Sequence, residues 1–241
     1  MKSRLLTRSI LGLALAFLFV SIAAAVVHPP DVNPANFSYP IVNPNPRFPL
    51  VPGTTFFYEG EKDGVAGSNA FEVTCDTRSI LGVVTTVVHD RVYEGNPAVL
   101  IEDTFDFFAQ DNDGNVWYFG EDSTSFPSGS TEGSWEAGVD DADAGIIMLA
   151  DPNVGDRYFQ EFAPKVAVDL AKVLTLSGSA FSPFTGNASN LLVTKETSQL
   201  DPAAVENKFY KSGVGFIRGE DVKGGNEFTQ LVNITTGNCT P

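Results

Sequence analysis

Ile101-Glu102-Asp103-Thr104-Phe105-Asp106-Phe107-Phe108-Ala109-Gln110-Asp111-Asn112-Asp113-Gly114-Asn115-Val116-Trp117-Tyr118-Phe119-Gly120-Glu121-Asp122 is the stretch on which the fold turns. Two runs rich in aromatic and β-branched residues flank Asp113-Gly114, the pair favoured in a two-residue hairpin turn. Asp-x-Asp-Gly also matches half of a calcium loop, but the remaining ligands of an EF-hand are missing. A turn at Asp113-Gly114 pairs Asn112 with Asn115, Gln110 with Trp117, Phe108 with Phe119 and Asp106 with Glu121. One face then carries Asp106, Phe108, Gln110, Trp117, Phe119 and Glu121. The other carries Phe105, Phe107, Ala109, Val116 and Tyr118 and reads as hydrophobic core. Two carboxylates directly opposite each other are unfavourable unless a cation, a shared proton or a basic partner offsets them.

Upstream, further β-type runs near 54–61, 69–77, 83–93 and 98–110 are separated by Asp63-Gly64, Gly82 and Gly95-Asn96-Pro97, the pattern of an antiparallel meander. In Val83–Tyr93 the even positions are mainly Val and face the core, while Thr85, His89 and Arg91 face away. Downstream, a Ser/Gly-rich loop from Ser123 to Ser134 precedes strands at Ile146–Ala150 and Tyr158–Phe162. A short amphipathic helix is expected over Pro164–Val173, with Val166, Leu170 and Val173 on one side. Strands resume at Asn190–Thr197, Val205–Arg218 and Glu227–Ile234. The expected fold is mainly β: a curved antiparallel sheet, half or fully closed into a barrel, with one short helix; a β-sandwich is the alternative.

The ends and the composition place the chain outside the cytoplasm. Lys2, Arg4 and Arg8 precede an apolar run from Ile10 to Ile22 and then Ala23-Ala24-Ala25, which together form a signal peptide over residues 1–25. Residues 26–47 are a strap dense in Pro and Asn, and 48–241 are expected to form one β-rich domain. A secreted or periplasmic location follows, with no stable membrane anchor after cleavage. In that oxidising setting Cys75 and Cys239 are expected to form a disulfide. Thirty acidic residues against fifteen basic ones, a net charge of −15, argue against nucleic-acid partners, because phosphate binding needs a basic footprint.

The chain has no GxSxG elbow, HExxH, P-loop or GxGxxG, and its two histidines are His28 and His89. Chemistry, if any, falls to carboxylates. Asp106, Glu121 and Glu136 are the candidate acid, base or metal ligands, and the metal itself is unspecified. No cofactor is assigned; calcium is the one cation considered, because Glu132–Asp143 sets five acids and a Trp in a turn-rich stretch. Phe108, Gln110, Trp117, Phe119, Trp135, Tyr158 and Gln160 are the candidate ligand-binding residues. Gln160 and Glu161, as strand neighbours, are expected on opposite faces.

Four stretches carry a resemblance: Phe48-Pro-Leu-Val-Pro-Gly-Thr-Thr-Phe-Phe-Tyr-Glu-Gly-Glu61, Gln110–Asp122, Glu132-Gly-Ser-Trp-Glu-Ala-Gly138 and Lys208-Phe-Tyr-Lys-Ser-Gly-Val-Gly-Phe216. Together they resemble a group of exported bacterial β-rich proteins without an established activity. The resemblance spans roughly Phe48 to Arg218 and implies that Trp117, Glu121, Trp135, Glu136, Tyr158, Gln160 and Glu161 occupy motif positions. The chain departs from the group at Leu149, where a Pro tends to follow Gly-Ile-Ile-Met. The Lys208–Phe216 strand is also similar, at the level of fold, to periplasmic half-barrel carriers of lipid-like cargo. The function expected from these features is binding of a small, partly apolar ligand in a curved sheet. A carboxylate-based enzyme of the lyase, isomerase or glycoside-acting kind and a passive envelope or matrix component are the alternatives.

Overall fold

The computed structural model describes residues 29–239, so the signal peptide expected over residues 1–25 lies outside the described residues. Strands β1 (Thr54–Lys62), β2 (Val65–Ile80), β3 (Val83–Glu94), β4 (Val99–Gln110) and β5 (Val116–Ser125) form the expected meander. The two-residue turns at Asp63-Gly64 and Leu81-Gly82 take positive φ at both positions (52° and 80°, 49° and 79°), the geometry that matches strand twist in a tight hairpin. After the short β6 (Trp135–Glu136) come β7 (Asp143–Met148), β8 (Arg157–Ala163), β9 (Ala167–Ser182), β10 (Gly186–Ser198), β11 (Val205–Lys211), β12 (Gly215–Lys223) and β13 (Phe228–Thr236).

β13 pairs with β1 and β5 pairs with both β4 and β7, so twelve antiparallel strands close into a barrel and β6 adds a short rung to β5. Closure satisfies the edge N–H and C=O groups that an open sheet leaves exposed. A sandwich is excluded by this single ring of pairings. A disulfide joins Cys75 on β2 to Cys239 beyond β13, with Cα atoms 5.6 Å apart.

The helix expected over Pro164–Val173 is not formed. Lys165 takes a φ of 73° in the turn between β8 and β9, and the residues from Ala167 run on in a 16-residue strand. A helix of ten residues has little stability of its own, whereas Val168, Ala171 and Val173 are buried as part of the barrel wall, with ladders to β8 on one side and β10 on the other.

The hairpin β4–β5 differs from the expected register at its tip and agrees with it lower down. The Asp111 carboxylate accepts from the backbone N–H of Asp113 (3.0 Å) and Asn115 (2.8 Å) and from the Trp117 indole (2.8 Å). This draws Asn112, Asp113 and Gly114 into a three-residue loop, so Ala109 rather than Gln110 lies opposite Trp117, and Phe108 lies opposite Tyr118. A bulge in β5 then restores the pairing of Asp106 with Glu121. Gly120 makes the bulge possible: its φ is 133°, and a Cβ there would lie 2.3 Å from the Trp135 carbonyl oxygen.

The Pro/Asn-rich strap crosses one end of the barrel. Phe37 packs edge-on against Trp117 and Phe119 on the outer face, at 5.6 and 5.7 Å between ring centres. Asn45, buried at the crossing, donates through its side chain to the carbonyls of Gly114 (2.9 Å) and Leu149 (3.2 Å). Phe48 then enters the barrel and meets Phe108 and Phe71.

Candidate functional site

The barrel encloses a cavity of about 430 Å3, in the size range of small-ligand pockets. Its strap end is apolar. Phe71 packs against Phe48, Phe56 and Phe108 at 6.0–6.3 Å between ring centres, Phe48 meets Phe108 at 5.2 Å, and Tyr58 packs against Phe216 at 5.3 Å. A second cavity of about 290 Å3 adjoins the first at Tyr58, Asn69 and Val92 and runs toward the opposite end, where Lys62, Glu94 and Glu102 stand.

Between these ends the wall carries acids. Asp106 on β4 projects inward with Phe108 by strand alternation, and the hydroxyl of Tyr118 on β5 donates to its Oδ1 at 2.5 Å. Asp90 on β3 accepts from the Asn69 side chain. Glu161 on β8 and Glu206 on β11 complete the lining, and Glu121 sits opposite Asp106. Burial, reinforced by the Asp90 charge, holds the Asp106 pKa well above the carboxylate range. Burial, then the charge of Glu102, raises Glu121 to about 7. Burial also raises Asp90 to about 7, against the Asn69 hydrogen bond. Burial, with Asp169 and Glu121 nearby, raises Glu161 to about 8. Burial thus biases these acids toward their protonated forms.

Among the described residues, one ammonium lines this cavity, that of Lys208. It lies 2.8 Å from Glu196 Oε2 and 3.5 Å from Glu206 Oε2. Burial opposes its charge, but Glu196 and Glu206 outweigh burial and set its pKa well above the usual lysine value. Glu196 is fully engaged, accepting also from Thr194 (2.8 Å), Gln160 (3.2 Å) and Tyr210 (3.3 Å).

The expected site residues divide between the interior and the outer face. Asp106, Glu121 and Phe108 come together inside. Trp135, opposite Glu121 on β6, faces inward and packs edge-on against Tyr118 at 5.4 Å. Tyr158 is buried near Glu196. Gln160 and Glu161, expected on opposite faces, both reach the interior, because a bulge between Phe159 and Glu161 breaks the alternation. Trp117 and Phe119, expected to bind ligand, are on the outer face under Phe37, a consequence of the shifted hairpin tip. Gln110 clamps the strap, accepting from the Asn45 N–H (2.6 Å) and donating to the Asn43 carbonyl (2.8 Å). Glu136 points outward to Arg78, which also binds Asp122 at 2.6 Å, so it stands apart from Asp106 and Glu121.

Tyr118, Asp90, Lys208 and Glu206 are site residues that the sequence reading passed over. Asp90 had a signal: it shares the core-facing parity of Val88 and Val92. Among the described residues no three His, Cys, Asp or Glu side chains converge as a metal site, the acidic run 132–143 included.

No protein-family model and no curated protein matches the chain. Two solved structures align with it. One is a candidate exported protein with a YmcC-like fold from Bacteroides fragilis, 13% identical, covering 78% of this chain and 98% of that one with a TM-score of 0.46. The other is a candidate lipoprotein from Parabacteroides distasonis, 10% identical, covering 80% of this chain and 100% of that one with a TM-score of 0.36.

Proposed function

We propose that the protein is an exported binding protein that holds a small, partly apolar ligand inside its barrel. The observation that carries this reading is the 430 Å3 cavity with phenyl rings at the strap end and polar groups beyond them. Pockets that are mostly apolar with a few convergent polar groups bury most of a small ligand and orient it. Export is supported by the charged, apolar and Ala-rich order of residues 1–25 and by a disulfide suited to an oxidising compartment. Against an enzyme acting through three carboxylates stands the outward position of Glu136 on Arg78. A passive envelope component has no use for such a cavity.

Titration of the mature protein with Nile red, a neutral apolar dye, tests the reading. Saturable binding of one dye per chain, weakened about tenfold or more by Phe48→Asp, is the expected result, since a charge at the phenyl end costs at least 1.4 kcal/mol of affinity. Phe48 lies between the strap and β1, outside every strand, so the barrel strands are untouched by that change. Absence of saturable binding refutes the reading.

A further inference from the structure

Resting on the binding-protein reading, we propose that the cavity selects ligands with a cationic head on an apolar body, the body in the phenyl end and the head against Asp90, Asp106 and Glu161. The polarity of the wall is ordered along the barrel axis: Phe56, Phe71 and Phe108 stand toward the strap, Asp90, Asp106 and Glu161 midway, and Glu94 and Glu102 toward the far end. A ligand entering from the far end with its apolar part leading places its other end among the acids. There, an anionic head meets Lys208, whose ammonium already serves Glu196 and Glu206. An ammonium head meets the carboxyl oxygens of Asp90, Asp106 and Glu161, none of which is in an ion pair among the described residues although Lys208 and Arg91 act on Glu161 and Asp90 from a distance, beside the rings of Tyr58 and Phe216, which also attract a cation.

A second observation marks the belt as incomplete by itself. Trp135 is 7% exposed and its indole N–H has no hydrogen-bond partner, although it comes near enough to Glu161 to ease the ionisation of that group. Asp169, which acts on both Glu161 and Glu121, has a buried Oδ1 that is likewise unpartnered. Buried polar groups are nearly always paired, so this donor and this acceptor, next to Glu161 on the cavity wall, are hydrogen-bonding capacity open to a bound group or to water.

Decylamine, decanol and decanoate share one chain and differ in head charge, so displacement of Nile red by each, near neutral pH, isolates the head. Decylamine is expected to bind about tenfold or more tighter than decanol, a difference of 1.4 kcal/mol, with decanoate weakest. In Asp106→Asn/Glu161→Gln the amine advantage is expected to fall below about threefold while decanol binding stays unchanged, since the phenyl end is intact. Where that variant fails to fold, the three-ligand comparison on the unaltered protein decides. Equal binding of amine and alcohol, or preference for decanoate, overturns the cationic-head inference and leaves the apolar-ligand reading standing. Failure of all three to displace the dye overturns both.

Discussion

Lowering the pH from about 7.5 to about 5.5 is expected to stabilise this protein, and the magnitude follows from its interior acids. Glu161 is raised to about 8, and Glu121 and Asp90 to about 7, from ordinary values of 4.5, 4.5 and 3.8. Between those limits the folded chain holds more protons than the unfolded one, so unfolding free energy falls as pH rises. The contribution is fully present below about pH 4 and is lost as pH climbs through 7 and 8. Each retained proton is worth about 1.4 kcal/mol per pH unit. The three shifts arise partly from one another and the cavity is open to solvent, so we count one to two protons rather than three. Because Glu121 and Asp90 release most of their protons before pH 7.5, the interval gives about 2–4 kcal/mol, or roughly a 1 M fall in urea midpoint on going to the higher pH. Equilibrium urea unfolding followed by Trp fluorescence measures it, with Glu161→Gln expected to flatten the slope. A protein more stable at the higher pH, or a slope unaffected by Glu161→Gln, refutes the account of a protonated belt.

Three further outcomes are expected. Lys208→Met leaves Glu196 and Glu206 without their cation; discounting for the cavity-facing part of the lysine (31% exposed), the loss is about 2–4 kcal/mol, and a chemical melt showing that Lys208→Met/Glu196→Gln regains none of it would sink the pairing argument. Gly120→Ala drives a Cβ against the Trp135 carbonyl at positive φ and should cost about 2 kcal/mol or more; an unchanged melting temperature would mean that the bulge is not required. Reducing the Cys75–Cys239 bond, which spans 164 residues, should lower stability by about 2–5 kcal/mol, measured by urea unfolding with and without dithiothreitol.

The strands of the meander were legible because each is a local β-type run bounded by turn residues such as Asp63-Gly64 and Gly82, although the expected alternation in Val83–Tyr93 fails at its start, where Val84 is exposed and Thr85 is buried. A closed or half-closed sheet was expected, but which strands close the ring was not legible, since the pairing of β1 with β13 joins residues far apart in sequence and leaves no local mark. The opposition of Asp106 and Glu121 was read correctly through two departures that cancel, a three-residue loop organised by Asp111 and a bulge at Gly120. Trp117, Phe119 and Tyr118 lie between those departures, so their faces were inverted. The strand at Ala167–Ser182 was misread because Val166, Leu170 and Val173 satisfy helical spacing while Val168, Ala171 and Val173 satisfy the barrel wall, and only the neighbouring strands decide between them.

Buried acids receive two treatments in this barrel, and the contrast is the strongest argument that the belt is a site. Glu196 is met by Lys208, Thr194, Tyr210 and Gln160, as expected of a carboxylate kept for structure. On the outer face too, acids have partners: Arg78 meets Asp122 and Glu136, Arg91 meets Glu72, and His89 meets Asp103. Asp106 has a tyrosine hydroxyl, Asp90 has an amide, and Glu161 faces the cavity with an indole N–H that falls short of it. A chain able to place arginines opposite its outer acids has none among the residues lining this cavity. Acids left without ion pairs in a cleft, with their pKa values displaced together, are what the proposed binding role requires and what a purely structural core does not.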